Sequence, residues 1–278
     1  MATLTLPAPA KLNLFLHVTG RRADGYHTLE GLMVALDVGD TVSLASRPDG
    51  EIVRTTNIDG VAPEHDLTVR AAQMLKCEAQ SPHGVDIAIC KRIPQGGGLG
   101  GGSSDAATVL YGLNRLWGLG LPRTELMRLG LALGADVPFF LFGEPAIARG
   151  IGERLISVSI PPMWVAAVVP SVMVPTASIF AAPELTRDTA SAKISVFSEG
   201  YGRNDLEPVT AARFPEVAGA LATLRKRSSH ARMTGSGGCV FAPFDSEPEA
   251  YAAIEALPPT MKGFVARTLQ RHPLAAFA

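Results

Sequence analysis

Cysteine and net charge are both scarce in this chain, and each scarcity excludes a class of protein. The 278 residues include three cysteines, Cys77, Cys90 and Cys239, an odd number without the spacing of a metal site. We therefore expect buried, reduced thiols in a cytoplasmic protein rather than a disulfide framework. The formal net charge is −1, with no basic stripe, which predicts that nucleic acid is not a partner.

Long apolar runs are also missing. The most apolar stretch, MWVAAVVPSVMVP, is short and interrupted by proline, so we expect no membrane span. The N-terminal stretch MATLTLPAPA lacks the positive charge of a signal peptide. Apolar residues make up 47% of the chain and charged residues 18%, which is typical of a globular protein that buries a large core.

Glycine, in contrast, is abundant in one place. The stretch IPQGGGLGGGSSDAATVL, residues 93–110, has glycine at six of the seven positions from 96 to 102. Each glycine costs roughly 0.5–1 kcal/mol in a regular element, because it loses more backbone freedom on folding than alanine does. Such a concentration predicts a function that compensates for the cost.

The segments on either side of the glycine run indicate that function. Before it, GVDIAICKRI alternates apolar and polar residues as a strand does. After it, Ser103 and Ser104 are good helix N-caps, and apolar residues recur at helical spacing from Ala106 until Gly118. A glycine loop between a strand and a helix N-terminus offers unpaired N–H groups to an anion. The pattern therefore predicts a phosphate-binding loop.

Two better-known glycine loops fit less well. The dinucleotide-binding fingerprint needs a second strand that ends in an acidic residue about 20 positions on, where this chain has helical patterns instead. A P-loop needs a lysine directly before the serine, and no lysine precedes Ser103. A flexible linker or tight turn is the simpler alternative.

Elsewhere the chain mixes strand and helix patterns, which predicts a mixed α/β or α+β fold. HDLTVRAAQMLK, TELMRLGLALG and DSEPEAYAAIEALPP have the spacing of helices, and WVAAVV and GFVARTL that of strands. The composition changes near residues 156–162. We therefore predict two domains, residues 1–158 and residues 159–278.

Taken one at a time, the polar residues of these segments have ordinary explanations. In the predicted strand KLNLFLHV, leucines fall on one face and Lys11, Asn13, Phe15 and His17 on the other. Lys11 alone fits a solvated lysine on an edge strand. Asp136, in LGADVPFF, fits a helix N-cap, and the second glycine cluster, TGSGGC, fits a tight turn.

Four segments change this interpretation because they occur together. PAPAKLNLFL, PQGGGLGGGSSDAA, LGADVPFF and TGSGGCVFA resemble, in order and over nearly the whole chain, the motif pattern of the GHMP small-molecule kinases. PAKLNLFL followed by DGYH resembles, more narrowly, the branch of that family that serves the non-mevalonate isoprenoid pathway. The resemblance implies an α+β (mixed α/β) fold of two domains with the active site in the cleft between them. It also implies ATP-dependent phosphorylation of an alcohol on a cytidine diphosphate-linked polyol, with Mg²⁺.

The same resemblance implies the site residues. The catalytic pair would be Lys11 and Asp136: an aspartate can accept the proton of the alcohol, and an ammonium group stabilises growing negative charge. The ATP-binding loop would be Pro94, Gln95, Gly96, Gly97, Gly98, Leu99, Gly100, Gly101, Gly102, Ser103 and Ser104. The substrate-binding residues would be Asn13, Tyr26, His27, Thr176 and Phe180. Tyr26 and Phe180 have the shape to enclose a pyrimidine, and His27 can hydrogen-bond its edge.

Three residues depart from the family pattern. Gln95 stands where an apolar residue is common, Asp105 where asparagine is frequent, and Asp66 where an asparagine on the adenine side is expected. Asp105 adds negative charge near a phosphate loop, although a carboxylate is favourable in the first turn of a helix. Ser104 is the candidate Mg²⁺ ligand, and the pattern assigns no acidic ligand.

Two alternatives stay open at this point. One is another GHMP kinase, for homoserine or mevalonate, which would not need DGYH together with a downstream aromatic residue. The other is a catalytically inactive relative that binds a nucleotide, which would not need both Lys11 and Asp136. The sequence predicts no particular oligomeric state.

Overall fold

A computed structural model describes residues 2–191 and 202–277. Its strands are β1 (Thr3–Arg21), β2 (His27–Arg47), β3 (Ile52–Arg54), β4 (Gly84–Cys90), β5 (Ala146–Gly150), β6 (Arg154–Ser157), β7 (Trp164–Val169), β8 (Arg232–Met233), β9 (Val240–Phe244) and β10 (Lys262–Leu269). Its helices are α1 (Leu67–Glu78), α2 (Gly101–Leu116), α3 (Arg123–Leu133), α4 (Val137–Phe142), α5 (Thr176–Phe180), α6 (Glu207–Arg213), α7 (Pro215–Arg225) and α8 (Glu247–Glu255).

The strands of the described residues form one mixed sheet. They follow the order β3-β4-β2-β10-β7-β9-β8, with β1 and β5 paired to β2, and β6 to β5. The last strand, β10, pairs with β2 at Thr268 and Leu269 and with β7 from Lys262 to Arg267. It therefore joins the N-terminal and C-terminal parts of the sheet. The predicted mixture of helices and strands is confirmed.

Three apolar cores lie within this arrangement. Helices α1 to α4 cover the N-terminal part of the sheet around Leu44 and Leu110, and α5 to α8 cover β7 and β9 around Leu221. The third core contains Leu99 of the glycine run together with Phe241 of β9. Since Leu99 is almost fully buried, one apolar side chain anchors the loop in this third core. The predicted domain boundary between residues 158 and 159 stays a prediction.

β1 departs from the regular alternation that the sequence predicts. Its pairing with β2 shifts register between Pro9 and Lys11 and again between Asn13 and Phe15. Such bulges change the direction in which the following side chains point. Lys11 and Asn13 are only 3% and 6% exposed. The interpretation of Lys11 as a solvated edge-strand lysine is therefore wrong.

The helix after the glycine run begins earlier than predicted. α2 starts at Gly101, and its N-cap is Gly100 with φ at 74°. Ser103 and Ser104 therefore lie in the first turn of α2 and do not cap it. The left-handed conformation at Gly100 suits glycine and would be strained for serine. The other predicted helices are confirmed as α1, α3 and α8, and the four predicted strands as parts of β1, β4, β7 and β10.

Two predictions from composition can be compared with the structure. Cys239 is buried, but Cys77 and Cys90 are exposed. The expectation of buried thiols is therefore confirmed for one cysteine and wrong for two, which lie at the ends of α1 and β4, where their elements meet solvent. Among the described helices, none combines the length and the apolar character needed to cross a membrane.

Candidate active site

The glycine loop joins β4 to α2 and lies against β1. The Lys11 N–H on β1 donates a hydrogen bond to Leu99 O at 2.9 Å. A Cβ at Gly100 would lie 2.9 Å from Lys11 Cγ and 3.1 Å from Phe140 Cζ, so this position has no room for a side chain. The first N–H groups of α2 have no partners within the helix. The loop thus presents bare backbone and a helix N-terminus close to Lys11.

The second glycine cluster packs directly on this loop. A Cβ at Gly237 would lie 2.3 Å from Gly98 N and 2.4 Å from Gly97 C, which is far inside van der Waals contact. The Cys239 N–H donates to Gly97 O at 3.2 Å. TGSGGC is therefore a backbone support for the predicted phosphate loop and not merely a tight turn. The signal in the sequence was a second glycine cluster that could approach the first.

Lys11 and Asp136 meet where α4 begins. Lys11 Nζ lies 3.3 Å from Asp136 Oδ2, and the side chains are 4% and 39% exposed. The same ammonium group donates to Asn13 Oδ1 at 2.5 Å. Asp136 occupies the N-cap position of α4, but its side chain makes no capping hydrogen bond. The carboxylate is therefore directed to Lys11 and keeps surface that a reactant can approach.

A cavity of about 340 Å³ brings six of the predicted site residues together, and Ser103 is the one predicted loop residue in its lining. Lys11, Asn13 and Asp136 line it, together with Ser103 from the first turn of α2. From the C-terminal part of the chain, its lining includes Thr176, Phe180, Gly235 and Ser236. The cavity thus lies between the N-terminal and C-terminal motifs, and it contains both members of the ion pair.

A larger cavity of about 540 Å³ also borders the glycine loop, at Ile93, Pro94 and Leu99. Its lining is mostly apolar, and neither Lys11 nor Asp136 belongs to it. We take the smaller cavity as the candidate active site because it holds a lysine and a carboxylate in contact.

The predicted substrate-binding residues do not all reach this cavity. Asn13, Thr176 and Phe180 line it. The His27 ring stacks on the Phe180 ring, with centroids 5.1 Å apart and planes inclined by 30°. Tyr26 and His27 are both absent from the lining, and Tyr26 is 65% exposed. The structure therefore brings His27, and not Tyr26, against Phe180.

Sequence reasoning missed three polar residues that position the site. Thr234 Oγ1 accepts a hydrogen bond from the Asn13 N–H at 2.7 Å. Buried Asn204 donates to two backbone carbonyls beside Thr234, at 2.8 and 2.9 Å. Arg187 donates to His27 Nε2 at 3.1 Å. These residues lie far from their partners in the sequence, and no local pattern marks them.

Lys91, which precedes the glycine loop, is shared by two buried carboxylates. Lys91 Nζ donates to Asp105 Oδ2 at 2.8 Å and also to Asp40 Oδ2. Asp40 accepts the Ile93 N–H at 2.7 Å and so fixes the start of the loop. Burial raises the pKa of Asp105 to about 7; Lys91 opposes this rise and Asp40 adds to it. Asp105, the departure from the family pattern, is therefore buried against Lys91.

Asp66, another departure, is engaged on both carboxylate oxygens. It caps α1 by accepting the Thr68 N–H at 2.7 Å, and it pairs with Arg54 at 2.6 Å. Both members of this ion pair are almost fully buried. Asp66 thus stabilises the start of α1 whether or not it contacts adenine.

The acidic residues that the structure describes form no metal site by themselves. Over residues 2–191 and 202–277, no group of three or more His, Cys, Asp or Glu side chains is placed to hold a metal ion. Ser104 Oγ is buried and lacks a hydrogen-bond partner there, whereas Ser103 lines the cavity. Because Mg²⁺ keeps several water ligands and uses few protein ligands beside substrate phosphates, this donor set fits an ion that arrives with ATP.

Family models match both parts of the chain. The model for the N-terminal domain of GHMP kinases matches residues 66–144, and the model for their C-terminal domain matches residues 182–262. The chain is 56% identical over 277 residues to the 4-diphosphocytidyl-2-C-methyl-D-erythritol kinase of Cupriavidus necator, covering 98% of this chain and 95% of that protein. It is 57% identical over 271 residues to the kinase of the same name from Thiobacillus denitrificans, covering 98% of this chain and 97% of that protein.

Solved structures show the same similarity in three dimensions. A crystal structure of 4-(cytidine 5'-diphospho)-2C-methyl-D-erythritol kinase superposes with a TM-score of 0.82 at 34% identity, covering 95% of this chain and 99% of that one. Homoserine kinase from Cytophaga hutchinsonii superposes with a TM-score of 0.73 at 18% identity, covering 98% of this chain and 96% of that one. The second match shows a common fold alone.

Proposed function

Because this chain belongs to the GHMP kinase family, among the 4-diphosphocytidyl-2-C-methyl-D-erythritol kinases, we propose that it phosphorylates the 2-hydroxyl of 4-diphosphocytidyl-2-C-methyl-D-erythritol. ATP is the phosphate donor. The reaction would be a step in the supply of isoprenoid precursors by the non-mevalonate pathway. The observation that carries the proposal is the single cavity in which Lys11, Asp136, Ser103 and Phe180 meet.

The reacting centre in this proposal is the Lys11–Asp136 pair. A carboxylate oxygen of Asp136 accepts the proton of the hydroxyl group as its oxygen attacks the γ-phosphorus. The bond from that phosphorus to the β–γ bridging oxygen breaks, and ADP leaves. Lys11, at 3.3 Å from Asp136, stabilises the negative charge that gathers near it during transfer.

The phosphates of ATP are proposed to lie along the glycine loop from Pro94 to Ser104. Its backbone N–H groups and the N-terminus of α2 favour negative charge, and Gly237 holds the loop in place from behind. When bound with ATP, Mg²⁺ would neutralise phosphate charge; Ser104, whose hydroxyl is orphaned, is the proposed protein ligand. The donor groups of this chain hold the phosphates in line with the hydroxyl near Asp136.

The cytidine end is proposed to lie beside Phe180 and His27. Phe180 offers a half-buried ring at the edge of the cavity, and His27 already packs on it. Asn13 and Thr176 line the path between this ring and Lys11, so both can bind the polyol or its diphosphate. Tyr26 would have to move with its exposed loop to cover the base.

A panel of alcohols tests the proposal. The purified protein is incubated with Mg·ATP and one of three acceptors: the cytidine diphosphate-linked polyol, homoserine or mevalonate. ADP release gives the rates, and ³¹P NMR identifies the new phosphomonoester. We expect turnover with the cytidine compound alone. Faster turnover with homoserine or mevalonate, or ATP binding without turnover of any acceptor, would contradict the proposal.

A further inference from the structure

Arg187 makes four hydrogen bonds that converge on the proposed cytidine end of the site. Its Nε–H donates to His27 Nε2 at 3.1 Å. Its Nη2 donates to Phe180 O at 3.0 Å and to Ala182 O at 2.6 Å. Its Nη1 donates to Leu185 O at 3.0 Å. One guanidinium group therefore connects the His27 ring to the end of α5, which carries the Phe180 ring.

The pattern differs from that of an ordinary surface arginine. Among the described residues no carboxylate pairs with Arg187, and its positive charge lies against carbonyl oxygens at a helix end, where a cation is favourable. α5 is only five residues long, and its N-cap Pro175 makes no side-chain hydrogen bond to it. A helix this short does not hold its own geometry. The Phe180 ring therefore depends on contacts such as these for its position.

We infer that Arg187 is a positioning residue for recognition of the cytosine base: it orients the His27 ring against Phe180 and directs the Nδ1–H of His27 to the substrate. This inference rests on the proposed function. Because Arg187 donates to Nε2, the neutral His27 ring must carry its proton on Nδ1. Among the described residues, no hydrogen bond uses Nδ1, so this N–H is available to a ligand.

The proton on Nδ1 provides a means of selecting the base. Cytosine presents N3 as an acceptor, whereas uracil carries a hydrogen at N3 and presents a donor. An Nδ1–H donor therefore pairs with N3 of cytosine but faces another donor at N3 of uracil. A site whose polar groups are left unpaired by an analogue rejects that analogue strongly. Burial lowers the pKa of His27, and Arg187 and Arg21 lower it further. The ring therefore stays neutral at pH 7 with its tautomer set by Arg187.

Two variants and one control test this inference. Arg187→Met removes all four hydrogen bonds, and Arg187→Lys keeps the charge without the planar fork. Arg213→Met is the matched control, because Arg213 donates to Ser178 O at 3.1 Å and pairs with Glu184 at 2.7 Å. It therefore holds the same α5 segment without touching His27.

We expect Arg187→Met to raise KM for the cytidine substrate roughly 10–150-fold, the usual effect of losing hydrogen bonds of a charged group. KM for ATP should stay within twofold. Preference over the uridine analogue should fall, and the acid limb of kcat/KM should move to higher pH because one cause of the lowered His27 pKa is gone. Arg187→Lys should give values between those of Arg187→Met and wild type. Arg213→Met should match wild type in both KM values, in the preference for cytidine over uridine and in the pH profile.

NMR of His27 supplies a readout that does not depend on turnover. In wild-type protein we expect the ring proton on Nδ1, and in Arg187→Met a higher pKa and a shift toward the Nε2–H form. A wild-type ring protonated on Nε2 would overturn the inference, as would equal losses for ATP and the cytidine substrate, or equal effects of the Arg187 and Arg213 variants. Absence of any wild-type turnover with the cytidine substrate would instead count against the proposed function.

Discussion

The phosphate loop and the cytidine end of the cavity are built by opposite means. The loop is a contiguous, mostly glycine stretch, supported by the backbone of a second glycine cluster at Gly237. The cytidine end is assembled from side chains on separate segments, with Phe180 and His27 held by Arg187. Because anions are bound by backbone N–H groups, which every residue except proline has, the loop needs space more than particular side chains. A base needs particular ring and hydrogen-bond groups, which can come from anywhere in the chain.

The difference predicts that changes in the loop raise KM for ATP and that changes at the cytidine end raise KM for the cytidine substrate. Changes at the reacting centre between them should lower kcat instead. Asp136→Asn should lower kcat by roughly 10²–10⁴ while both KM values change by only a few-fold, because it removes a proton acceptor and no binding group. Steady-state kinetics with each substrate varied in turn measure this. It is the largest effect that we expect.

Asp245→Asn is a suitable control, since Asp245 is exposed and lies outside the lining of the candidate cavity. It should keep wild-type kinetics. If Asp136→Asn retained a third of wild-type turnover, Asp136 would act only at the N-cap position of α4, and the reacting centre would lie elsewhere.

Gly237→Ala tests the backbone region. Its Cβ would lie 2.3 Å from Gly98 N, so the loop must move, and we expect KM for ATP to rise roughly 10–100-fold. KM for the cytidine substrate should change less than threefold. Gly219→Ala is the control, because its Cβ would meet only Met261 at an ordinary 3.6 Å. Equal effects on both KM values would mean that the two regions are not separate.

This difference also decides what could be predicted from the sequence. The glycine run predicts a phosphate loop from local physics alone, because strand pattern, glycines and helix pattern are contiguous. It does not locate the start of α2, since Gly100 in a left-handed conformation takes the cap position that Ser103 and Ser104 favour by propensity. The support from Gly237 is a contact between distant segments, and sequence spacing does not reveal it.

The cytidine end, in contrast, was predicted only through family resemblance. Nothing local distinguishes Thr176 or Phe180 from ordinary residues of a short helix. The sequence does not predict the roles of Arg187 and Thr234, because these roles depend on tertiary contacts with His27 and Asn13. The bulges of β1 likewise arise from pairing with β2 and explain why Lys11 is buried, although the alternation of KLNLFLHV places it on a polar face.

Phe180→Ala and Tyr26→Ala test the side-chain region. Stacking of a base on an aromatic ring is worth roughly 1–3 kcal/mol in nucleic-acid binders. The lower part of that range predicts a rise of roughly 5–30-fold in KM for the cytidine substrate, with KM for ATP within twofold. Tyr26 is 65% exposed, so its loss should leave the melting temperature unchanged. An unchanged KM in Tyr26→Ala would show that the base is not enclosed between two rings.

The smallest expected effect concerns the support of the phosphate loop and appears in stability rather than in catalysis. Burial raises the pKa of Asp105 to about 7 from an ordinary value of 3.8, against the attraction of Lys91. Between those pH values the folded state keeps a proton that the unfolded chain has lost, so this group costs more stability as the pH rises. The side-chain amide introduced by Asp105→Asn does not titrate in this range. In urea unfolding, the free energy of unfolding of Asp105→Asn should therefore gain about 1–2 kcal/mol relative to wild type between pH 5 and pH 8. This is less than the full shift implies, because Lys91 also pairs with Asp40.

Asp86→Asn, which removes an ion pair with Arg47 at the sheet surface, should show no such gain. A constant difference between Asp105→Asn and wild type across this range would mean that Asp105 is ionised when folded, and that Lys91 stabilises two carboxylates beside the loop.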